Sequence, residues 1–487
     1  MKCWGLPLAI AILLLWSVSQ PAIAAYGHGG ADTDSPVFLN IYPDATGTKL
    51  DSCALCHSSG QYENDRGIRI ALGSCQWCHF TYGYDANGDI DQTLNPFGLD
   101  YRQAGRSVTA LTGISGLDSD GDGFSNGDEI AALRFPGNAE DDPEKIPAPC
   151  RVYSREELQS WPQHTQFMLM NTHKSGDYYA TYGGVPVSEL LVRSGILPSA
   201  TGLTAFAPDG WAQYHPLEPD LDPLLYHVYG LYPAAPYYYD AQADESLNDD
   251  GWCNYSAPAC QKQTPGENID NDNGLQMLLA LTRDGENLES GVLGEDNKLE
   301  GEGPFRLVPP QKLPGPPDQS SKSNAQNVIW PFDEDADHNA GFATRTTTMI
   351  RVEPMPQGTT DIDILEAGWN YADEARIIVY GAVDPLPNVM DKLDDLARLL
   401  STAANSSYKR WINKWLLIIK IELAKQLIHK GAYKGVVAMI EHHLIPKTDG
   451  FVSGAGPDKN DWITDDELQR KTYWSLHEIV VLMKIIA

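Results

Sequence analysis

The clearest hydrophobic periodicity lies at the end of the chain. Val389, Leu393, Leu396 and Leu400 recur at helical spacing, and Trp411, Trp415, Ile418, Ile419 and Leu423 do so in the next segment. A third helix is expected near residues 432–444. Thr464-Asp465-Asp466-Glu467 reads as a capping box that opens a fourth. Lys420 interrupts the apolar run Trp415–Ile421, and Lys414 and Glu422 bound it, so this is a bundle segment and not a membrane span. The other apolar stretch, Leu6 to Trp16, follows Lys2 and precedes the small-x-small triplet Ala22-Ile23-Ala24. That order predicts an export signal over residues 1–24, cleaved before Ala25. The stretch is short for a span, and no Cys follows the cleavage point to take a lipid.

Between these ends the texture changes twice. Residues 25–150 are rich in Gly, Asp and Asn, are expected to be loop-dominated, and close on the Pro-rich run 143–149. Residues 151–385 mix short strand-like runs with helical ones and long polar loops, including a Pro/Ser-rich connector over 304–324. Residues 386–487 read as helical. The expected fold class is therefore α+β and multidomain, with a loop-rich first part, a mixed α/β middle and a C-terminal helical bundle. At 487 residues the chain has room for two or three real cores.

The formal charge of −31 argues against nucleic acid and anionic lipid as partners for the chain as a whole, and for basic partners or divalent cations. Cysteine usage changes the picture more. Cys53-Ala54-Leu55-Cys56-His57 and Cys75-Gln76-Trp77-Cys78-His79 are two copies of the Cys-x-x-Cys-His attachment site of a c-type haem. The thiols join the porphyrin covalently, and the His following supplies a nitrogen to iron. A redox Cys pair or a four-thiolate zinc site leaves the repeated His unexplained. Of the rest, Cys253 and Cys260 are close enough in sequence for a local disulfide, and Cys150 is odd.

His57 and His79 are the expected proximal ligands. Residues 25–150 contain no Met and one further His, His28, which is a candidate distal ligand. A second distal ligand has to come from downstream, with His164 and His173 as candidates, or from another chain, unless that iron stays open. A third motif follows the haem pair. Asp118-Ser119-Asp120-Gly121-Asp122-Gly123-Phe124-Ser125-Asn126-Gly127-Asp128-Glu129 matches a twelve-residue calcium loop. Asp118, Asp120 and Asp122 stand at positions one, three and five, the Phe124 carbonyl at seven, Asn126 at nine and Glu129 at twelve. The run 85–91 lacks Gly at six and a carboxylate at twelve, and reads as a turn. Asp270-Asn271-Asp272-Asn273 reads as a solvated loop, and the Tyr-rich segments 226–232 and 237–239 as packed surface loops.

The haem motifs, Asn95-Pro96-Phe97-Gly98-Leu99-Asp100-Tyr101, the Asp118–Glu129 loop and Gly301-Glu302-Gly303-Pro304 together resemble the GEGP-motif diheme proteins, secreted c-type cytochromes. The middle region resembles the molybdopterin-binding fold of sulfite oxidase-type proteins. The residues that carry this are Tyr182-Gly183-Gly184-Val185-Pro186-Val187-Ser188-Glu189-Leu190-Leu191, Leu203-Thr204-Ala205-Phe206, Pro304–Pro309 and Thr348–Pro354. Those enzymes hold molybdenum through an early cysteine, and none occurs here between Cys150 and Cys253, so no molybdenum cofactor is expected. The signal, the motifs and the loop predict an exported diheme cytochrome, periplasmic or extracellular, with two covalent haem c groups and one Ca2+, and the resemblance implies electron transfer. Such a protein would carry electrons between redox proteins, cytochromes among them, and is expected to be a carrier more than a catalyst. The alternatives are a molybdenum oxidoreductase using the haems as electron exit, and a docking module of a larger cytochrome assembly.

Overall fold

The computed structural model describes residues 33–57, 61–63, 69–71, 94–172, 176–208, 211–218, 226–229, 232, 237–239, 242, 252–253, 260, 263–265, 267–293, 299–313, 317, 338–363, 369–452 and 458–487. The signal at 1–24, His28, Cys75, Cys78, His79, the run 85–91 and His173 lie outside the described residues.

The chain is mixed α+β. Its first part places helices α1 (Asp34–Ile41), α2 (Pro96–Gln103), α3 (Val108–Ile114) and α4 (Asn126–Ala131) around a small apolar cluster that includes Phe38, Leu55, Phe97, Leu111, Ile130 and Phe135. The Arg106 guanidinium pairs with Asp34, and Tyr101 Oη donates to Asp34 Oδ1 at 3.1 Å, tying α2 to α1.

Two five-stranded sheets build the middle. Strands β1 (Cys150–Ser154), β2 (His164–Met170), β3 (Tyr178–Pro186), β4 (Gly202–Phe206), β5 (Ala212–Pro216), β6 (Leu278–Arg283), β7 (Glu286–Asn287), β8 (Arg306–Val308), β9 (Met349–Glu353) and β10 (Arg376–Gly381) follow in chain order. One sheet runs β1-β10-β9-β4-β5, with β9 and β10 parallel and the other pairs antiparallel. The other runs β7-β6-β3-β2, and β8 also pairs with β6. Their strands are apolar on both sides because both faces are covered. Ile350, Val352, Ile377 and Val379 share a core with Val185, Leu279 and Leu307 of the second sheet and with helix α5 (Val187–Ser194). Met349, Ile378 and Tyr380, one residue out of phase, pack on the opposite face. The segments 203–206, 306–308 and 349–353, which lie within the residues that carry the middle-region resemblance, are strands.

Three differences from expectation stand out. Cys150, which directly follows the Pro-rich run 143–149 and reads as part of that linker, begins strand β1. Tyr226 and Tyr239 are buried core residues, although their Tyr-rich segments read as surface loops. Asn271 is not merely solvated, because its amide accepts from Phe167 N at 2.8 Å and donates to Phe167 O at 2.9 Å, pinning the edge of β2.

The C-terminal helices are α6 (Leu386–Thr402), α7 (Trp411–His429), α8 (Tyr433–His443) and α9 (Asp466–Lys484). Helix α6 packs on α7 and α9, and α8 closes the ring against both. The capping residue of α9 is Asp465, whose carboxylate accepts from Leu468 N at 2.9 Å, one position later than the expected Thr464. In α7 the buried apolar side chains are Leu417, Ile421, Ala424 and Ile428, and not the Trp411–Trp415–Ile419 stripe of the sequence pattern.

The first part is fastened to the middle through a fully buried ammonium. Lys49 Nζ donates to Asp141 Oδ2 at 2.9 Å and to Thr360 Oγ1 at 2.9 Å, and lies 5.2 Å from the centroid of the Phe135 ring. Arg134 reaches Asp363 at 2.9 Å, and Ile146-Pro147 pairs in parallel with Thr359-Thr360. Asp141→Ala strands the Lys49 charge, so it should cost about 3–5 kcal/mol; the joint change Lys49→Met/Asp141→Leu should cost much less. Urea titration followed by proteolytic sensitivity at residues 134–148 checks this, and equal losses in the two variants would contradict it.

Burial pushes the His215 imidazole, whose Nδ1 donates to Tyr226 O at 3.1 Å, down to about 4. A base whose pKa is depressed by folding binds more protons when unfolded, so stability falls as pH drops from about 6.5 to 4, by roughly 3 kcal/mol in all. Urea midpoints across that window should show this slope in the parent protein and a flatter one in His215→Leu.

Candidate haem-attachment and cation sites

Cys53–Leu55 form one 3-10 turn, closed by Cys56 N to Cys53 O at 3.2 Å and by His57 N to Cys53 O at 2.9 Å. The turn presents Cys53 and Cys56 half-buried and outside any disulfide, with His57 directly after them. Cys56 packs against the small apolar cluster of the first part.

What holds this turn is the start of α2. Asn95 N donates to Cys56 O at 2.8 Å, and Asn95 Nδ2 donates to Leu55 O at 2.9 Å. The same side chain caps the helix, its Oδ1 accepting from Gly98 N at 2.8 Å. Pro96 at the first helical position lacks the N–H that would otherwise go unpaired. Gly98 is needed for a close approach: a Cβ there would lie 2.5 Å from the Cys56 carbonyl oxygen. His57 forms a backbone bridge with Leu94. Asn-Pro before an apolar run is a legible helix start; that its amide also serves a turn forty residues earlier is not.

One turn along α2, Asp100 Oδ2 accepts from Ser119 Oγ at 2.7 Å, linking the attachment turn to the acidic loop. In that loop Asp118 Oδ1 accepts from Gly121 N at 2.8 Å and its Oδ2 from Gly123 N at 3.0 Å. Gly123 has a φ of +102°, which a residue with a Cβ rarely adopts. These bonds bring Asp118, Asp120 and Asp122 together so that one oxygen of each lies within 4.8 Å of the others. Oxygens on opposite sides of a calcium ion are about 5 Å apart. Glu129 is fully buried on α4, and neither of its oxygens has a hydrogen-bond partner among the described residues; Asp120 Oδ2 and Asp122 Oδ2 are in the same position. Burial, then Asp120, Asp122 and Asp118, push the Glu129 carboxyl up to about 9. Burial and Asp122 raise Asp120 to about 6. A divalent cation fits this donor set, because it supplies the positive charge that no neighbouring side chain provides to Glu129.

Asn126, at position nine, has its side chain engaged within the loop. Its amide oxygen accepts from Ser119 N at 3.2 Å, and its nitrogen donates to Ile114 O at 2.8 Å and to Ser119 Oγ at 2.9 Å. It shapes the loop from inside. Phe124 N donates to Asp122 Oδ1 at 2.8 Å, which sets the peptide at position seven.

The downstream candidates lie elsewhere. His164 sits in β2 with Nε2 at 3.2 Å from Gly274 O and Nδ1 at 3.3 Å from Gln276 Nε2, so both ring nitrogens are engaged within the middle region. His442 and His443 are exposed on α8. Cys253 and Cys260 form a disulfide, and burial pushes the Cys150 thiol up while Asn388 donates to its sulfur at 3.8 Å.

The tetrapeptide Gly301-Glu302-Gly303-Pro304 organises a second buried constellation that sequence reasoning missed. Glu302 accepts from Arg283 at 2.5 Å and from Arg306 at 2.8 Å, and Arg306 also donates to Tyr178 Oη and Tyr182 Oη at 2.9 Å. Against the raising effect of burial, Arg306 and Arg283 hold Glu302 below its ordinary value. A Cβ on Gly303 would stand 2.5 Å from Leu288 O, so the flanking glycine admits the backbone that aims Glu302. The motif is therefore a packing device of the middle sheets.

No protein-family model, curated protein or solved structure matches the chain.

Asn95→Ala should destabilise the first part by about 2–3 kcal/mol, since it removes a cap and leaves the Leu55 carbonyl unpaired. Asn95→Asp keeps the cap acceptor but not the Nδ2 donor and should lose less. Thermal melts of the intact protein rank the two, and equal melting of all three forms would refute the clamp.

Proposed function

We propose that this chain is an exported diheme c-type cytochrome that moves electrons between redox partners outside the cytoplasm. Haem would be attached at Cys53 and Cys56 with His57 on iron, and at Cys75 and Cys78 with His79 on iron, and one Ca2+ would be held by Asp118, Asp120, Asp122 and Glu129. The observation that carries this reading is the Asn95 clamp on the first attachment turn. Two hydrogen bonds donated by Asn95, a third that it accepts as the cap of α2, and a glycine fitted to the Cys56 carbonyl hold the turn that carries two half-buried thiols with the His behind them. A haem bound there supplies a one-electron couple at iron, tuned by the axial ligands. The protein's part would be to set, through the Asn95 clamp and the backbone bridge to Leu94, where His57 stands relative to Cys53 and Cys56.

The acidic loop supports a structural role for the cation. Its link through Ser119 and Asp100 places it one helical turn from the clamp. The Cys253–Cys260 disulfide supports an oxidising compartment. The state of the downstream cysteines supports a sulfite oxidase-like middle region that works as a scaffold without molybdenum. Two are joined to each other, and the third is a half-buried thiol whose pKa is raised by burial.

Elemental analysis of the purified protein should give two irons and one calcium per chain, with no molybdenum. Glu129→Gln should keep both irons and lose the calcium, and His57→Ala should alter one haem spectrum only. Absence of iron would end the cytochrome reading, and stoichiometric molybdenum would end the scaffold reading.

A further inference from the structure

Helix α7 carries a second apolar stripe that points away from its own bundle. Its inner face, Leu417, Ile421, Ala424 and Ile428, packs against α6 and α8. The outward face carries Trp411 at 64% exposure, Trp415 at 50% and Ile419 at 60%, with Ile412, Leu416 and Leu423 beside them. Six large apolar side chains at helical spacing make one continuous strip over the first three turns. Single exposed apolar residues are ordinary, but a strip of this kind marks a docking surface.

The charge around it tells what it docks on. Residues 409–434 hold seven Lys or Arg and one acidic residue, Glu422, for a net +6, so the other residues sum to −37. This is a strong local reversal. Lys409 and Arg410 precede the helix, Lys430 and Lys434 follow it, all four exposed, and Lys420 flanks the strip. Lys425 is neutralised by Asp394 at 2.5 Å and Glu422 at 2.7 Å, and Lys414 is turned inward to Ala403 O at 2.7 Å. Lys409 donates to Lys459 O at 2.7 Å but has no carboxylate beside it among the salt bridges of the described residues, so unneutralised cations sit at both ends and along one side of the strip. A second copy of the same face would bring these cations together, so symmetric self-pairing is opposed by charge.

We propose that the outer face of α7 is an interfacial docking surface for an anionic lipid bilayer. Tryptophan suits the headgroup level, since its ring is apolar and its N–H is polar, and lysines reach past it to lipid phosphates. Among the described residues no helix is long and apolar enough to cross a membrane, so the helix lies on the surface. The acidic remainder of the chain does not oppose this at distance, because charge interactions in solution fade over about 8 Å at physiological salt. The surface stands independently of the haem reading.

Vesicle co-sedimentation of the intact protein tests it, using phosphatidylcholine vesicles with and without phosphatidylglycerol. Binding to the anionic vesicles should be at least about tenfold stronger and should weaken with salt. Trp415→Glu/Ile419→Glu, both at exposed positions, should abolish it. Lys430→Glu/Lys434→Glu should remove the preference for anionic lipid, and Leu313→Glu, at another exposed site, should change nothing. The proposal falls if the parent protein ignores both vesicle types, or if Trp415→Glu/Ile419→Glu binds as the parent does. It falls equally if those two changes dissolve a self-associated form that light scattering detects without lipid, because a second copy is then the occupant.

Discussion

A buried ammonium without an anion is among the most costly things a fold can contain, and Lys49 is wholly buried. Its three short contacts, two to Asp141 and one to Thr360, therefore dictate how the first part of the chain meets the middle sheets. Asp141 also accepts from Phe135 N, so the carboxylate that neutralises the lysine closes the turn after α4. The Ile146-Pro147 strand pair and the Arg134–Asp363 bridge lie beside it. The attachment turn, the acidic loop and the sheet beneath them thus share one electrostatic anchor.

From that anchor outward, polar side chains with every hydrogen-bonding atom in use do the positioning. Asn95 joins the attachment turn to α2, Ser119 and Asn126 join α2 to the acidic loop, and Asn271 pins β2. Each short amide or hydroxyl replaces backbone pairing that these loop-rich segments do not make with regular neighbours. The acidic loop is the exception. Its Glu129 is buried among like charges with no hydrogen-bond donor among the described residues, while the partly buried Glu302 of the middle region has two guanidiniums. The same residue type is in one case the centre of a finished network and in the other half of an unfinished one. A divalent cation would suit the unfinished one for that reason and would have no place at the finished one.

The helical bundle shows how far periodicity goes as a guide. The stripe Val389, Leu393, Leu396 and Leu400 is buried as its spacing predicts. Helix α7 carries apolar residues almost all round, so spacing alone offers two faces, and the richer one, with both tryptophans, is the one left outside. Burial was decided by which side chains could meet α6 and α8, and bulky indoles gave way to Leu417, Ile421 and Ala424. The Tyr-rich segments erred the other way. Tyr226 and Tyr239 are core residues because the sheets leave room for rings that local composition assigns to the surface.

By itself the sequence determined what is local. It set the two Cys-x-x-Cys-His pentapeptides, the order of carboxylates in the acidic loop, the helix starts and the mixed α+β class. These are legible because the chemistry or the period is contained within a few residues. Only the tertiary structure decided the rest. It chose Asn95 as the partner of a turn forty residues earlier, Thr360 as the partner of Lys49, and Asn126 as a brace within its loop. It also chose which face of α7 meets solvent. Each of these is a contact between segments far apart in the chain, and its free energy depends on desolvation and fit that exist only once the segments have met.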